Sequence, residues 1–568
     1  MRGYCLHWIL RETRVCRSVL CLGLVLASEW VSQPQTVNFV DIATKAGLSK
    51  TLTYGGETSQ EYLLESTGTG VAVIDFDNDG HPDLFFVNGT RFKTTPQSNN
   101  LLYRNHGNGT FEDVSGNSGI ADTGWGQAVC TGDFDNDGWT DLFVTYYGTN
   151  KLYRNKGDGI FADVAPKAGV AGSQPRWNSG CTFLDYDNDG YLDLFVANYV
   201  AYEDAAHLSP GSNKYCLLKG TPVMCGPTGL KEGTNMLYHN NRDGTFSDVS
   251  AASHIADPKG RYSLQPITAD FDEDGRTDIF VACDATPNIL YRNNGDGTFE
   301  DKALEAGVAF DENGRAEASM GVDVADYDGN QSTDLFVTSF SDETPTLYRN
   351  EGKWSFSDVT FRARLGHYTR YVGWSALFLD FDLDGWKDLF IVNGHIYPQV
   401  DHFPSGLTYH QNRQLYRNRK DGTFEDLTER AGPGILRRTA GRGAAAEDFD
   451  ADGQLEMVVT NMNDTPSLLR NHSGTKNNWV IIQLVGQKSN RSGIGARVEL
   501  SANGLSQKGE VRSSSGYYSS SGQRLHFGLG ASRKLDKLTV SWPSGKRDSV
   551  TAVGANQVLL LREGEGSQ

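Results

Sequence analysis

Residues 71–87 read VAVIDFDNDGHPDLFFV: an apolar run, a nine-residue stretch with four aspartates, and a second apolar run. Two short apolar runs around a polar turn predict consecutive strands of one antiparallel sheet. Asp75, Asp77, Asp79 and Asp83 occupy loop positions 1, 3, 5 and 9, with Gly80 at position 6. The stretch recurs with loops starting at Asp133, Asp185, Asp270, Asp326, Asp380 and Asp448. Two further phrases keep phase with it. A Phe-x-Asp strand begins at Phe39, Phe111, Phe161, Phe246, Phe299, Phe356 and Phe424, and an LYRN-type strand with a Gly-rich turn at Leu102, Leu152, Leu237, Leu290, Leu347, Leu415 and, more weakly, Leu468.

Each unit supplies about four strands, and four-stranded units repeated around an axis make propeller blades. The expectation is an all-β fold: a seven-bladed β-propeller over residues 37–475. The chain opens on the Phe39 strand and closes its repeats at Leu468, so these two should pair and complete the ring, leaving no sheet edge unpaired. From Trp479 onward, WVIIQLVG, ARVELSA and KLTVSW are β-rich runs separated by turn residues. They predict a small β-sandwich-like module over 476–563.

The loops have the donor chemistry of calcium, which takes six to eight hard oxygens, while Gly permits the turn around the ion. The predicted ligands are Asp75, Asp77, Asp79 and Asp83; Asp133, Asp135, Asp137 and Asp141; Asp185, Asp187, Asp189 and Asp193; Asp270, Asp272, Asp274 and Asp278; Asp326, Asp328, Asn330 and Asp334; Asp380, Asp382, Asp384 and Asp388; and Asp448, Asp450, Asp452 and Glu456. The fifth set has Asn330 at position 5 and Gln331 in place of Gly, so it should bind weakly or stay empty. A final carboxylate at position 9 rather than 12, between strand-like flanks, excludes a helix–loop–helix site. One Asp-rich turn alone is as readily an ordinary solvated turn. Seven are not, because clustered carboxylates without a cation repel by on the order of 1 kcal/mol per pair even in water.

Residues 1–27 carry Arg2, Arg11, Arg14 and Arg17, a short apolar run and a small-residue site at Ala27, and predict a signal peptide on a secreted chain. No later segment is apolar enough to span a bilayer. The formal charge is −19; without the leader it is −22, and seven Ca²⁺ would bring it to −8. Much of the acidity is therefore ligand, and no basic patch suits nucleic acid. In the longest gap between loops, Cys216 and Cys225 should form a disulfide, as suits an exported protein, with Cys130, Cys181 and Cys283 as buried thiols.

The repeats DFDNDGHPDLF and LYRNNGDGTFED resemble the FG-GAP/VCBS repeats of integrin-type propellers. GIGARVEL from Gly493, GEVRSSSGYYSSSGQRLHFGLG from Gly509 and LTVSWPSGKRDSV from Leu538 resemble the ASPIC/UnbV domain. The combination is similar to the cartilage acidic protein family and its bacterial relatives. That resemblance implies extracellular, calcium-dependent binding or adhesion.

No GxSxG, HExxH, CxxC or P-loop is present, so an extracellular binding or adhesion module is the leading reading and an enzyme the alternative. The enzymatic form would be a calcium-dependent polysaccharide lyase or dehydratase working in the propeller funnel, with His395, in NGHIYP, as the best-placed histidine. The binding form looks to the segments that lead into each blade's first strand, on the face opposite the loops. There Arg176-Trp177, Arg261-Tyr262, Arg315, Arg370-Tyr371 and Arg442 recur, with Trp374 nearby. Such residues are equally readable as rim charges covering apolar surface or as a funnel for an anionic glycan or acidic protein segment. Tyr517, Tyr518 and Arg524 of the tail are the other candidate location. The oligomeric state is not legible.

Overall fold

The structure, a computed structural model, describes residues 37–566 apart from 93–97, 173, 202–208, 213, 257–259, 368 and 403–405. The predicted signal peptide, residues 1–27, lies outside the described residues. Among those described, no helix is long and apolar enough to cross a membrane.

Each repeat folds into four antiparallel strands. In the fourth unit they are Ser263–Ala269, Asp278–Cys283, Ile289–Asn293 and Phe299–Asp301, hydrogen-bonded in that order. The first two strands are buried along their whole length, because neighbouring sheets cover both faces. This is why the second reads after Asp278 as a continuous apolar run, IFVAC, rather than an alternating one. The third strand turns one residue, Arg292, outward, and the fourth buries only its Phe.

The first strand of each unit packs on the first strands of the units before and after it. Gly441–Glu447 of the last repeat meets Val71–Ile74 of the first, so the units form a closed, propeller-like ring. Phe39–Asp41 completes the last sheet by pairing with Ser467–Asn471, Phe39 opposite Asn471. The insertion between the third unit's second and third strands is cross-linked by a Cys216–Cys225 disulfide, while Cys130, Cys181 and Cys283 are free and buried.

Two contacts that recur in every unit fasten each blade to the one before it. The Phe of Phe-x-Asp packs against the aromatic residue at position 2 of the preceding aspartate loop, as in Phe161 on Phe76 and Phe424 on Tyr327. The Asn that ends the third strand donates its side-chain amide to the carbonyl of that same residue. Asn155 reaches Phe76 O at 2.8 Å, Asn293 reaches Tyr186 O at 2.7 Å, and Asn471 reaches Phe381 O at 2.8 Å. In the first six units the backbone N–H of that Asn donates in turn to the position-9 carboxylate of its own loop, Asn293 to Asp278 at 2.9 Å.

The tail forms two sheets. One has Asn478–Val485 between Leu525–Gly530 and Val558–Arg562; the other is ordered Leu505–Glu510, Arg497–Ala502, Lys537–Ser541, Arg547–Thr551. Val480, Ile482, Val498, Phe527, Leu538 and Trp542 are buried between them. The tail rests on the aspartate-loop side of the ring: Arg497 pairs with Asp270, and Lys508 with Glu273 at 2.7 Å.

Candidate metal loops and the filled axial channel

The aspartate loops share one construction. The position-1 carboxylate caps the turn, Asp75 accepting the N–H groups of Asp79 at 3.1 Å and Gly80 at 3.0 Å. The position-9 carboxylate, Asp83, accepts Phe76 N–H at 3.2 Å and Asn105 N–H at 2.7 Å. Gly80 has φ +87°, and the matching glycines lie between +85° and +93°, the left-handed region that Gly enters without strain. The turn thus drives carboxylates together: one oxygen from each of Asp75, Asp77 and Asp83 falls within 4.8 Å of the others, and likewise in Asp133/Asp135/Asp141, Asp185/Asp187/Asp189 and Asp270/Asp272/Asp278.

These groups are short of positive partners. Position 3 leaves a buried oxygen with no hydrogen-bond donor at Asp77, Asp135, Asp382 and Asp450, and Glu456 leaves another. Burial, with neighbouring carboxylates adding to it, pushes Asp83 and Asp185 up to about 8 and Asp133 and Asp448 up to about 7. Asp141, Asp278, Asp334 and Asp388 are also held well above the ordinary carboxylate range. In six units the outward residue of the third strand is an arginine that supplies part of the missing charge: Arg104 reaches Asp77 at 2.7 Å, Arg154 reaches Asp135 at 2.6 Å, and Arg349 reaches Asp328 at 2.5 Å. Converging oxygens that lack donors, as at Asp77 and Asp135, fit a hard divalent cation, and the carboxylate sets starting at Asp75, Asp133, Asp185 and Asp270 could each hold one.

The fifth loop keeps its shape without the usual glycine. Gly329 takes position 4 at φ +76° and Gln331 takes position 6 at +69°, its N–H still donating to Asp326 at 3.0 Å. What changes is the donor set, since Asn330 offers a neutral oxygen and its amide is tied to Asn350 O at 3.1 Å.

The ring is not an open funnel. Residues 511–524 of the tail run into the axis and bond to the first strand of every unit. Ser519 Oγ accepts Val71 N–H at 3.2 Å, Tyr518 O accepts Val129 N–H at 3.0 Å, and Ser513 Oγ accepts Phe183 N–H at 3.1 Å. Tyr518 N–H donates to Gln265 Oε1 at 2.6 Å and Tyr517 N–H to Ser375 Oγ at 3.1 Å, while Gly516 O accepts Val322 N–H at 2.9 Å and Ser521 Oγ accepts Ala446 N–H at 3.2 Å. Innermost strands otherwise present unpaired backbone groups to the axis, so this segment satisfies them. It must be slender: a Cβ on Gly516 would lie 2.3 Å from Ser375 Oγ.

The filled channel corrects the funnel expectation. Tyr517 and Tyr518 are fully buried, stacked with centroids 4.0 Å apart, and do not form an open site. Arg442 is also fully buried. Its guanidinium stacks over Trp374 at 4.1 Å and donates to the carbonyls of Ser66, Gly394, Gly441 and His395, and burial lowers it to about 10. Trp177 packs edge-on to Tyr147 and Tyr199, and Tyr262 donates its hydroxyl to Leu230 O at 2.7 Å. His395 is buried, its Nδ1 accepting Tyr397 N–H at 3.2 Å, and desolvation lowers it to about 3, which keeps the ring neutral. Arg176, Arg261 and Tyr371 are half-buried; Arg370 and Arg315 are exposed. The nine proposed lining residues therefore do not converge on a cleft. Arg524 is engaged within the molecule, paired with Glu447 at 2.9 Å.

Between ring and tail remains a cavity of about 160 Å³ lined by Asp323, Lys387, Glu447, Glu510, Arg512 and His526 among others. Lys387 donates to His526 O at 3.1 Å, and burial lowers its ammonium while raising Asp323 to about 6. The filling of the axis by residues 511–524, the inter-blade Asn and the third-strand Arg were missed, although the sequence singles out Tyr517, Tyr518 and Arg524 as a candidate ligand site. Of these, the Asn and the Arg carried a signal in the sequence, since LYRN repeats both at fixed phase.

Residues 75–144, 133–196, 228–281, 270–337, 326–391 and 406–493 match the FG-GAP-like repeat family, and residues 486–568 match the ASPIC and UnbV family. The chain is similar to cartilage acidic protein 1 of Homo sapiens, 26% identical over 329 residues that cover 55% of this chain and 46% of that protein. The Xenopus tropicalis protein of the same name is 28% identical over 279 residues, 48% of this chain and 40% of its own, and the Mus musculus one 26% over 391 residues, 66% and 54%. The chain thus spans about half the length of these curated relatives. Among solved structures, an Agrocybe aegerita lectin recognising non-reducing terminal N-acetylglucosamine overlaps 71% of this chain and 94% of its own, with a TM-score of 0.41 and 15% identity. The BP39L lectin of Burkholderia pseudomallei overlaps 71% and 95%, with 0.43 and 10%. With repeat matches running through most of the ring and a second match over the tail, the chain belongs to the FG-GAP-like repeat family and ends in an ASPIC and UnbV domain.

Proposed function

We propose that this chain is a secreted, calcium-stabilised binding module whose ligand contacts lie on the outer surface of the ring rather than in its channel. The observation that carries the calcium half is the set of buried loop oxygens without donors, at Asp77, Asp135, Asp382, Asp450 and Glu456. Export is supported by the Cys216–Cys225 disulfide, a bond that persists in oxidising compartments. With its axis filled by its own tail, the ring offers its outer surface, and the accessible cationic groups leading into the first strands include Arg315 and Arg370. An anionic glycan or acidic protein segment is the ligand class that guanidinium groups on an otherwise acidic protein would select.

The test is binding of the calcium-loaded protein to arrayed sulfated and uronic-acid glycans, with an Arg315→Ala/Arg370→Ala variant alongside. Binding should weaken as salt rises and fall in the double variant at unchanged calcium content. Equal binding by wild type and variant moves the ligand site elsewhere. Steady release of an unsaturated product from uronic-acid polysaccharide would overturn the binding reading in favour of catalysis.

A further inference from the structure

One blade departs from the others at the residue facing its loop. In six units the third strand points an arginine at the loop carboxylates: Arg104, Arg154, Arg292, Arg349, Arg417 and Arg470. In the third unit the same register position, next to the inter-blade Asn240, is His239. Its Nδ1 lies 3.2 Å from Asp193 Oδ1 and 3.7 Å from Asp187 Oδ2. We propose that Asp187, Asp193 and His239 form a site for one nitrogen-accepting divalent ion of the zinc class. The proposal rests on reading the loops as divalent-cation sites and adds a different metal preference at this one.

Three observations support it. An arginine has five N–H donors and no lone pair to give, so in six loops it acts only as a counter-charge, whereas neutral imidazole is a metal ligand. The spacing also suits a small ion: bonds of 2.0–2.2 Å at tetrahedral angles set ligand atoms about 3.4 Å apart, and the two measured separations bracket that value. Finally, the counter-charge lost at His239 is restored from the turn. Arg242 donates to Asp189 at 2.9 and 2.6 Å and stacks over Tyr191, which leaves His239 facing Asp187 and Asp193. The Tyr186 hydroxyl, 3.3 Å from the same Nδ1, is the neutral competitor that a metal would displace. Access is asymmetric: Asp193 is 1% exposed, whereas His239 and Asp187 are 29% and 33% exposed at their side chains, so an ion can enter from solvent and meet a fixed floor.

Cobalt(II) is the probe, because its visible ligand-field absorption reports nitrogen coordination and coordination number. The full-length mature protein is stripped of metal, loaded with millimolar calcium and titrated with Co²⁺. One Co²⁺ per chain should bind in the presence of calcium and be displaced by Zn²⁺. His239→Arg, which installs the residue of the other six blades, should lower that affinity at least about 100-fold while calcium content and melting temperature stay as in wild type. Co²⁺ held equally by His239→Arg, or displaced by calcium in wild type, overturns the proposal and leaves a histidine–aspartate ion pair only. If calcium is absent from every loop while His239-dependent Co²⁺ binding persists, the calcium reading fails and this one stands; the reverse result removes this one alone.

Discussion

The two ends of the first strands make the instructive comparison. At the loop end, seven copies of one phrase build a capped turn, an aromatic clamp and an Asn bond to the preceding blade, with only the donor set of the fifth loop altered. At the lead-in end, an arginine also recurs, yet its side chain meets a different fate each time. Arg442 is buried under Trp374, Arg176 and Arg261 are half-buried, and Arg370 and Arg315 are exposed. Recurrence predicts shared structure where backbone geometry dictates the contacts. It predicts little where neighbouring loops of unequal length supply them.

The strongest way to break this contrast is to remove calcium. Each ion bound only to the folded state adds RT ln(1 + [L]/Kd), about 2.7 kcal/mol per site at a hundredfold excess over Kd. Several sites together should cost the protein at least about 10 °C in melting temperature in EDTA, read by scanning calorimetry. The chelated protein should also lose stability as pH rises from 4 to 8. Asp83 and Asp133 titrate near 8 and 7 in the fold, above their unfolded value near 3.9. The folded state therefore binds the extra protons, and its advantage disappears as pH climbs through those values. Identical melting in EDTA and calcium across this range would remove the metal reading.

Next in size are the axial residues. Tyr517→Ala should destabilise by about 3–5 kcal/mol through the cavity it leaves. Arg442→Met should cost a comparable amount, about 3 kcal/mol or more, because four buried carbonyls lose their donor. Urea denaturation measures both, and a change under 1 kcal/mol in either would mean that the channel contents are ornamental. Asn293→Ala, which frees the carbonyls of Tyr186 and Thr277, should cost about 1–3 kcal/mol. Smallest is the contrast within the loops: Asp135→Ala should remove one calcium by metal analysis, while Asn330→Ala should leave the calcium count unchanged. Loss of an ion from Asn330→Ala would show the fifth loop to be a working site.

The ring was legible in the sequence because its phrases fix strand period, turn and phase at once, and the pairing of Phe39 with Asn471 follows from where the repeats begin and end. The aspartates were legible for the same reason. The axial segment was not, because Ser513–Ser515 and Ser519–Ser521 have the composition of an exposed, flexible linker. Only the narrowness of the channel and its ring of backbone groups make small hydroxylated residues the right filling. Arg442 was legible as an arginine near an aromatic residue, but four carbonyl partners from three separate segments lie beyond any local pattern.

The pairing of Phe39–Asp41 with Ser467–Asn471 also sets a timetable. At a synthesis rate of about 5–20 residues per second, the first strand waits roughly 20–90 s for its partner to emerge. Throughout that interval this outer strand lacks the sheet it completes, and the axis lacks the tail segment that arrives later still. A chain built this way exposes sticky edges for most of its birth, and its yield in any host should depend more on what shields the unfinished ring than on the stability of the finished one.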